Sequence, residues 1–191
     1  MSNPSLPNVK LSQATGFEAW RPWIIWGLGA AFFLFEYVVR VSPSVMAPWL
    51  IQDFHTNALG VGTLSGLYYY PYIFMQLPVG ALVDRYGSHR LLTLMTALCA
   101  LACVMFAQAS TLWLAGLARM LIGFATAFAF VGALKLVTLW FPIEKFALLA
   151  GCTQALGMLG GAIGEAPMSY VVRELGWQQA TMWCSLLFLI L

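Results

Sequence analysis

Charge is what this sequence has least of. Asp, Glu, Lys and Arg make up 8% of its 191 residues, hydrophobic residues make up 61%, and the mean hydropathy is +0.83. A water-soluble domain carries about 25% charged residues because its surface must be solvated. Nine basic and seven acidic side chains cannot solvate a globule of this length, so the surface is one that meets lipid. The net charge of +2, with no cluster of Lys and Arg, excludes a nucleic-acid partner, whose phosphates demand a basic stripe.

Reactive side chains are scarce as well. The four cysteines, Cys99, Cys103, Cys152 and Cys184, all lie in apolar runs. Cys99 and Cys103 share a helix face at i,i+4, but without nearby His or acidic ligands they read as small core-filling thiols. No metal site, disulfide framework or cofactor is expected. His55 and His89 are the only histidines, and neither HExxH nor GxSxG occurs, so a membrane-embedded enzyme lacks its machinery and no catalytic residue is assigned. Residues 1–20 are polar, with Lys10 and Glu18 and no apolar core, so they are not a cleavable signal peptide but a cytoplasmic N-terminal tail.

What is abundant is apolar runs of membrane-spanning length, which need about 20 residues each. Residues 22–48, 58–82, 91–109, 112–141 and 146–172 satisfy this, and 177–191 begins a sixth. As a helix this sixth segment rises about 22 Å, short of the ~30 Å hydrocarbon core, so the last helix reads as incomplete and the chain as truncated. With the N-terminus inside, inner segments hold Lys10, Arg21, Arg85, Arg90 and Lys145 and outer ones only Arg173. The positive-inside rule therefore predicts a cytoplasmic N-terminus in the plasma (bacterial inner) membrane. Gly62/Gly66, Gly157/Gly161 and Gly160/Gly164 form GxxxG pairs, which allow close helix approach.

The turn Gly80-Ala81-Leu82-Val83-Asp84-Arg85-Tyr86-Gly87-Ser88-His89-Arg90 lies between the second and third spans. It resembles the G-x-L-x-D-R-x-G-x-[RK]-[RK] signature of the major facilitator superfamily (MFS), with His89 as the one departure. Tyr72 to Gly80 is similar to the Y-x-x-x-Q-[LI]-P-x-G of its organic anion symporter and sugar-phosphate antiporter branch. Arg119-Met120-Leu121-Ile122-Gly123 resembles the R-x-x-x-G of helix four. Gly157 to Pro167 is a looser match to the Gly/Pro-rich motif of helix five, departing at Glu165-Ala166-Pro167. Gln178 after Gly176-Trp177 replaces an arginine common in this branch. The resemblance runs from about Arg21 to Leu191 and covers half of a twelve-helix transporter.

What the resemblance implies is an all-α integral membrane fold: a six-transmembrane-helix bundle of 3+3 inverted repeats over residues 21–191, the N-terminal half of a transporter. It also implies that Gly80, Asp84, Arg85, Gly87 and Arg90 form a conformational latch between two halves. A second six-helix half or a homodimer is then an expected partner, beside the bilayer and a small-molecule solute.

Ionisable residues within a span cost at least ~2.5–3.5 kcal/mol each on insertion scales, so function is the default reading. Glu36 and Arg40 stand i,i+4 on one face of the first span, about 21 and 27 Å from the inner surface. They form either a structural ion pair or a site where Arg40 takes an anion and Glu36 a proton. Arg119, about 10 Å inside the outer surface, is an anion ligand, a proton-coupling partner of Glu36 or a packing residue. Lys135 lies about 160° round the helix from Arg119, near the inner end, where it is expected to snorkel. Glu165, near the outer end of the fifth span, is a proton sensor or a solvated rim carboxylate. Tyr69, Tyr72 and Gln76, spaced i, i+3, i+7, either line a polar cavity as substrate contacts or form an aromatic packing stripe. The function expected is transport of an organic anion or zwitterion by alternating access with ion or proton coupling. The alternative is a non-transporting remnant or an assembly partner of a second half.

Overall fold

The computed structural model describes residues 16–191. The tail expected over residues 1–20 lies outside the described residues up to residue 15, and from Gly16 the chain is already helix. Among the described residues all regular structure is helical: α1 (Gly16–Asp53), α2 (Ala58–Leu67), α3 (Tyr69–Gln76), α4 (Val79–Tyr86), α5 (Ser88–Ala107), α6 (Leu112–Trp140), α7 (Phe146–Leu175) and α8 (Trp177–Ile190), with a 3₁₀ turn at Ile143–Lys145. Four stretches are long and apolar enough to cross a membrane: Trp20–Asp53, Ser88–Ala107, Leu112–Trp140 and Ile143–Leu175.

The expected second span, residues 58–82, is divided into α2, α3 and α4, and proline is the reason. Pro71 and Pro78 have no N–H, so the carbonyls of Leu67 and Phe74 lose their i+4 partners and the ladder breaks nearby. The backbone stays right-handed helical through both breaks, at Tyr68, Leu77 and Pro78, so the three pieces follow one another as an interrupted rod. Sharper interruptions fall at Gly87 and Gly176, both at φ +84°, a conformation glycine reaches without a Cβ penalty. Asn57 caps α2 by accepting from Gly60 N–H (3.0 Å), and Thr111 caps α6 by accepting from Leu114 N–H (3.3 Å).

α1 is the organising helix, packed along α7 and against α6, while α5 packs on α6 and α8. Of the glycine pairs, Gly160 and Gly164 face backbone of α1, where a Cβ would overlap Leu34 and Val38, and Gly157 lies against Phe33. That is the close approach small residues permit in lipid. Gly62 and Gly66 are different: a Cβ at either meets open space, so this GxxxG joins no interface among the described residues. The α5/α8 contact is tied by Ser185, whose hydroxyl donates to Ala100 C=O at 2.9 Å, beside the buried thiols of Cys99, Cys103 and Cys184. At the opposite end from the Gly80–Arg90 turn, Asp53 accepts from Trp177 Nε1 (2.7 Å) and Gln178 Nε2 (3.2 Å), which joins α1 to α8. Gln178 thus holds a carboxylate from the position where the family branch has arginine.

Candidate functional site

The deepest charges in the molecule meet where α1, α3 and α6 converge. Glu36 and Arg40 extend from successive turns of α1, and Arg40 Nε donates to Glu36 Oε1 at 2.8 Å. Glu36 is fully buried, whereas the Arg40 side chain keeps 15% of its surface exposed. The Tyr68 hydroxyl also donates to Glu36 Oε1 and lies 2.8 Å from Thr126 Oγ1 on α6. Thr126 in turn donates back to Ile122 C=O at 2.8 Å. One carboxylate oxygen therefore gathers guanidinium and phenol, while Glu36 Oε2 has no partner. Arg40 Nη2 touches Glu36 as an ion pair without a directed hydrogen bond.

Three tyrosines surround the Arg40 guanidinium, with ring centroids at 4.4 Å (Tyr37), 4.8 Å (Tyr72) and 5.7 Å (Tyr68). Aromatic faces attract a cation electrostatically without accepting its hydrogens, so donor capacity remains for an incoming anion. Arg119 is adjacent but differently engaged. It is 1% exposed, its Nη1 donates to Val39 C=O (2.9 Å) and its Nη2 to Arg40 C=O (3.3 Å). Lacking an N–H, Pro43 cannot donate to Val39 C=O, and the carbonyl accepts instead from Arg119 on the neighbouring helix and from the Ser42 hydroxyl at 3.0 Å. Of the Arg119 nitrogens, Nε has no hydrogen-bond partner among the described residues.

Of the residues singled out from the sequence, Glu36, Arg40 and Tyr72 come together, with Arg119 behind them. Tyr69 is 43% exposed and touches the cluster only through its ring against Tyr68. Gln76 is exposed and stands apart. Of the i, i+3, i+7 stripe, Tyr72 joins the cluster while Tyr69 and Gln76 are exposed, and Tyr68 is the tyrosine that turns inward. Tyr68, Thr126 and Tyr37 are the residues that spacing missed. The available signal was positional: Tyr68 precedes Tyr72 by one helical turn, and Thr126 follows Arg119 by two. Tyr68 is also fixed through its backbone, because a Cβ at Gly123 would overlap its carbonyl.

Over residues 25–191 the chain matches the family described as Major Facilitator Superfamily. The chain belongs to this superfamily. Among MFS relatives, an uncharacterized transporter of Bacillus subtilis, YybO, is 32% identical over 158 residues, covering 83% of this chain and 36% of its own length. A probable sulfoacetate transporter of Cupriavidus necator, SauU, is 26% identical over 82% of this chain and 36% of its own length. A probable galactarate/D-glucarate transporter of Escherichia coli, GudP, is 25% identical over 75% and 33%. The chain spans about a third of the length of these relatives. It is a membrane protein of a transporter family.

The MFS signature turn lies away from the buried cluster. Gly87 provides the positive-φ corner between α4 and α5, and Arg85 and Arg90 are exposed. Asp84 pairs with Lys135 Nζ at 2.7 Å across to α6. Lys135 therefore does not simply snorkel: α4 brings a carboxylate within its reach. A Cβ at Gly80 meets open space, so nothing within the described residues requires close approach there. Glu165 is exposed on α7, outside the cluster.

Proposed function

We propose that this chain is the N-terminal half of a secondary transporter for a small organic anion or zwitterion, working by alternating access with ion or proton coupling. The observation that carries the reading is Arg40: a partly exposed guanidinium, ringed by tyrosines and held by a fully buried Glu36. A carboxylate or sulfonate arriving at the exposed edge of Arg40 competes with Glu36 for the same cation. The guanidinium fork can meet two oxygens of such an oxyanion at once. Once Arg40 is shared, a proton on Glu36 keeps that buried carboxyl neutral, which links solute to proton. Tyr68 keeps a donor on Glu36 during the exchange, and Arg119 holds the α1 backbone that positions both. Relatives named for sulfoacetate, for galactarate and D-glucarate, and for nitrate and nitrite agree with an anionic solute.

In this reading α2, α3 and α4 together make the second of six spans, and α8 belongs to the sixth. The N-terminus is cytoplasmic in a bacterial inner membrane, so Arg21, Arg85, Arg90 and Lys145 lie inside. Gly80, Asp84, Arg85, Gly87 and Arg90 act as a latch toward a second six-helix half or a second copy. The test is counterflow of labelled sulfoacetate and D-glucarate in proteoliposomes holding this chain with its second half. We expect exchange of at least one of these acids, abolished by Arg40→Ala. Exchange that survives Arg40→Ala, or no exchange of any organic anion, would sink the proposal.

A further inference from the structure

At the end of the molecule where α1 starts, α6 stops and α7 starts, two cations lie on tryptophan rings. The Arg21 guanidinium sits 5.2 Å from the Trp140 ring centroid, and Lys145 Nζ sits 5.6 Å from that of Trp23. Trp23 meets Phe141 edge-on at 5.0 Å, so one aromatic cluster carries both charges and joins the three helix ends. Arg21, Trp23, Trp140 and Lys145 are all exposed. Among the described residues neither cation has a carboxylate partner, and the adjacent Glu144 is exposed and makes no ion pair.

We propose that this cluster is a binding site for the headgroup of an anionic phospholipid, with Arg21 and Lys145 as the phosphate ligands. Tryptophan prefers the membrane–water boundary, so its rings set the depth of the site at the level of lipid phosphates. Each cation resting on a ring is held there rather than ranging through solvent, which lowers the ordering cost of closing on an anion. Basic residues beside span ends attract anionic headgroups. Cation–ring contacts from different helices then make one lipid a bridge between α1 and the α6–α7 corner. Arg85, by contrast, lies over the ring of its own neighbour Tyr86 at 5.5 Å and bridges nothing. The inference is independent of the solute: it requires only that these helix ends lie at a membrane surface.

The test uses the purified chain in nanodiscs of phosphatidylcholine, with and without phosphatidylglycerol. Native mass spectrometry reads bound lipid, and thermal unfolding reads its effect. The wild type should retain phosphatidylglycerol preferentially and unfold at higher temperature in its presence. Arg21→Gln with Lys145→Gln should weaken that affinity roughly thirtyfold and abolish the rise in unfolding temperature that phosphatidylglycerol gives the wild type. Arg85→Gln with Arg90→Gln removes the same charge from the same end and should retain most of the affinity. Should the first pair fail to fold, each single variant is measured instead and should lose about fivefold. The site is refuted by a wild type indifferent to phosphatidylglycerol, by Gln variants at 21 and 145 that keep their affinity, or by equal losses at 85 and 90.

Discussion

Two ion pairs divide this protein between them. Glu36–Arg40 lies among α1, α3 and α6 with Glu36 fully buried and Arg40 only partly exposed, whereas Lys135–Asp84 ties α6 to α4 at the surface, with side chains 37% and 65% exposed. The charges are of the same kind, but their surroundings decide what each can do. Near water, attraction is screened and each partner has an alternative in solvent. Within the bundle there is no alternative, so each charge depends on its partner and on the tyrosine and threonine around it. The surface pair is easily made and broken. The buried pair holds its geometry.

The largest expected effect breaks the buried pair. Arg40→Ala leaves Glu36 without its cation and should destabilise the chain by about 3–5 kcal/mol in thermal or denaturant unfolding in detergent. Adding Glu36→Gln should recover most of that loss, since it removes the orphaned charge. If Arg40→Ala costs no more than a surface substitution, the two pairs are not different in kind.

A smaller change sharpens what surrounds the pair. Tyr68→Phe keeps the ring beneath Arg40 and Arg119 but removes the hydroxyl between Glu36 and Thr126. We expect a loss of about 1–3 kcal/mol by the same measurement, because a buried acceptor loses a donor. Tyr69→Phe, outside the hydrogen-bond network, should be near neutral.

The smallest effect is expected at the surface. Lys135→Ala should cost about 0.2–1 kcal/mol, and added salt should shrink the difference from wild type. Salt should leave the Arg40→Ala penalty in place. A salt-insensitive cost of several kcal/mol at Lys135 would instead mean that this pair is buried in the working protein.

Much of this contrast was legible in advance, though unevenly. The i,i+4 spacing of Glu36 and Arg40 places them on one helix face whatever packs against it. Gly87 at a turn between spans announces its corner in the same local way. Tyr68 was not legible, because which of three consecutive tyrosines points inward depends on where α1 and α6 pack against them. For Arg119 an anion ligand, a proton-coupling partner and a packing residue all stayed open, since nothing local reveals that it donates to Val39 C=O and Arg40 C=O on another helix. Gly62/Gly66 and Gly160/Gly164 are the same motif, and only the second pair has a helix against it.

By itself, then, the sequence determined the solvent this protein lives in, its helices, its family and the pair of charges on its first helix. These follow from composition and short-range spacing, which act within one or two turns of chain. The tertiary structure alone decided that Tyr68 and Thr126 complete the buried cluster and that Arg119 braces α1. It also decided that Lys135 finds Asp84, and that Arg21 and Lys145 rest on rings from other helices. Each of these depends on groups far apart in sequence satisfying one another's hydrogen bonds and charges, and that accounting can be made only once the helices are packed.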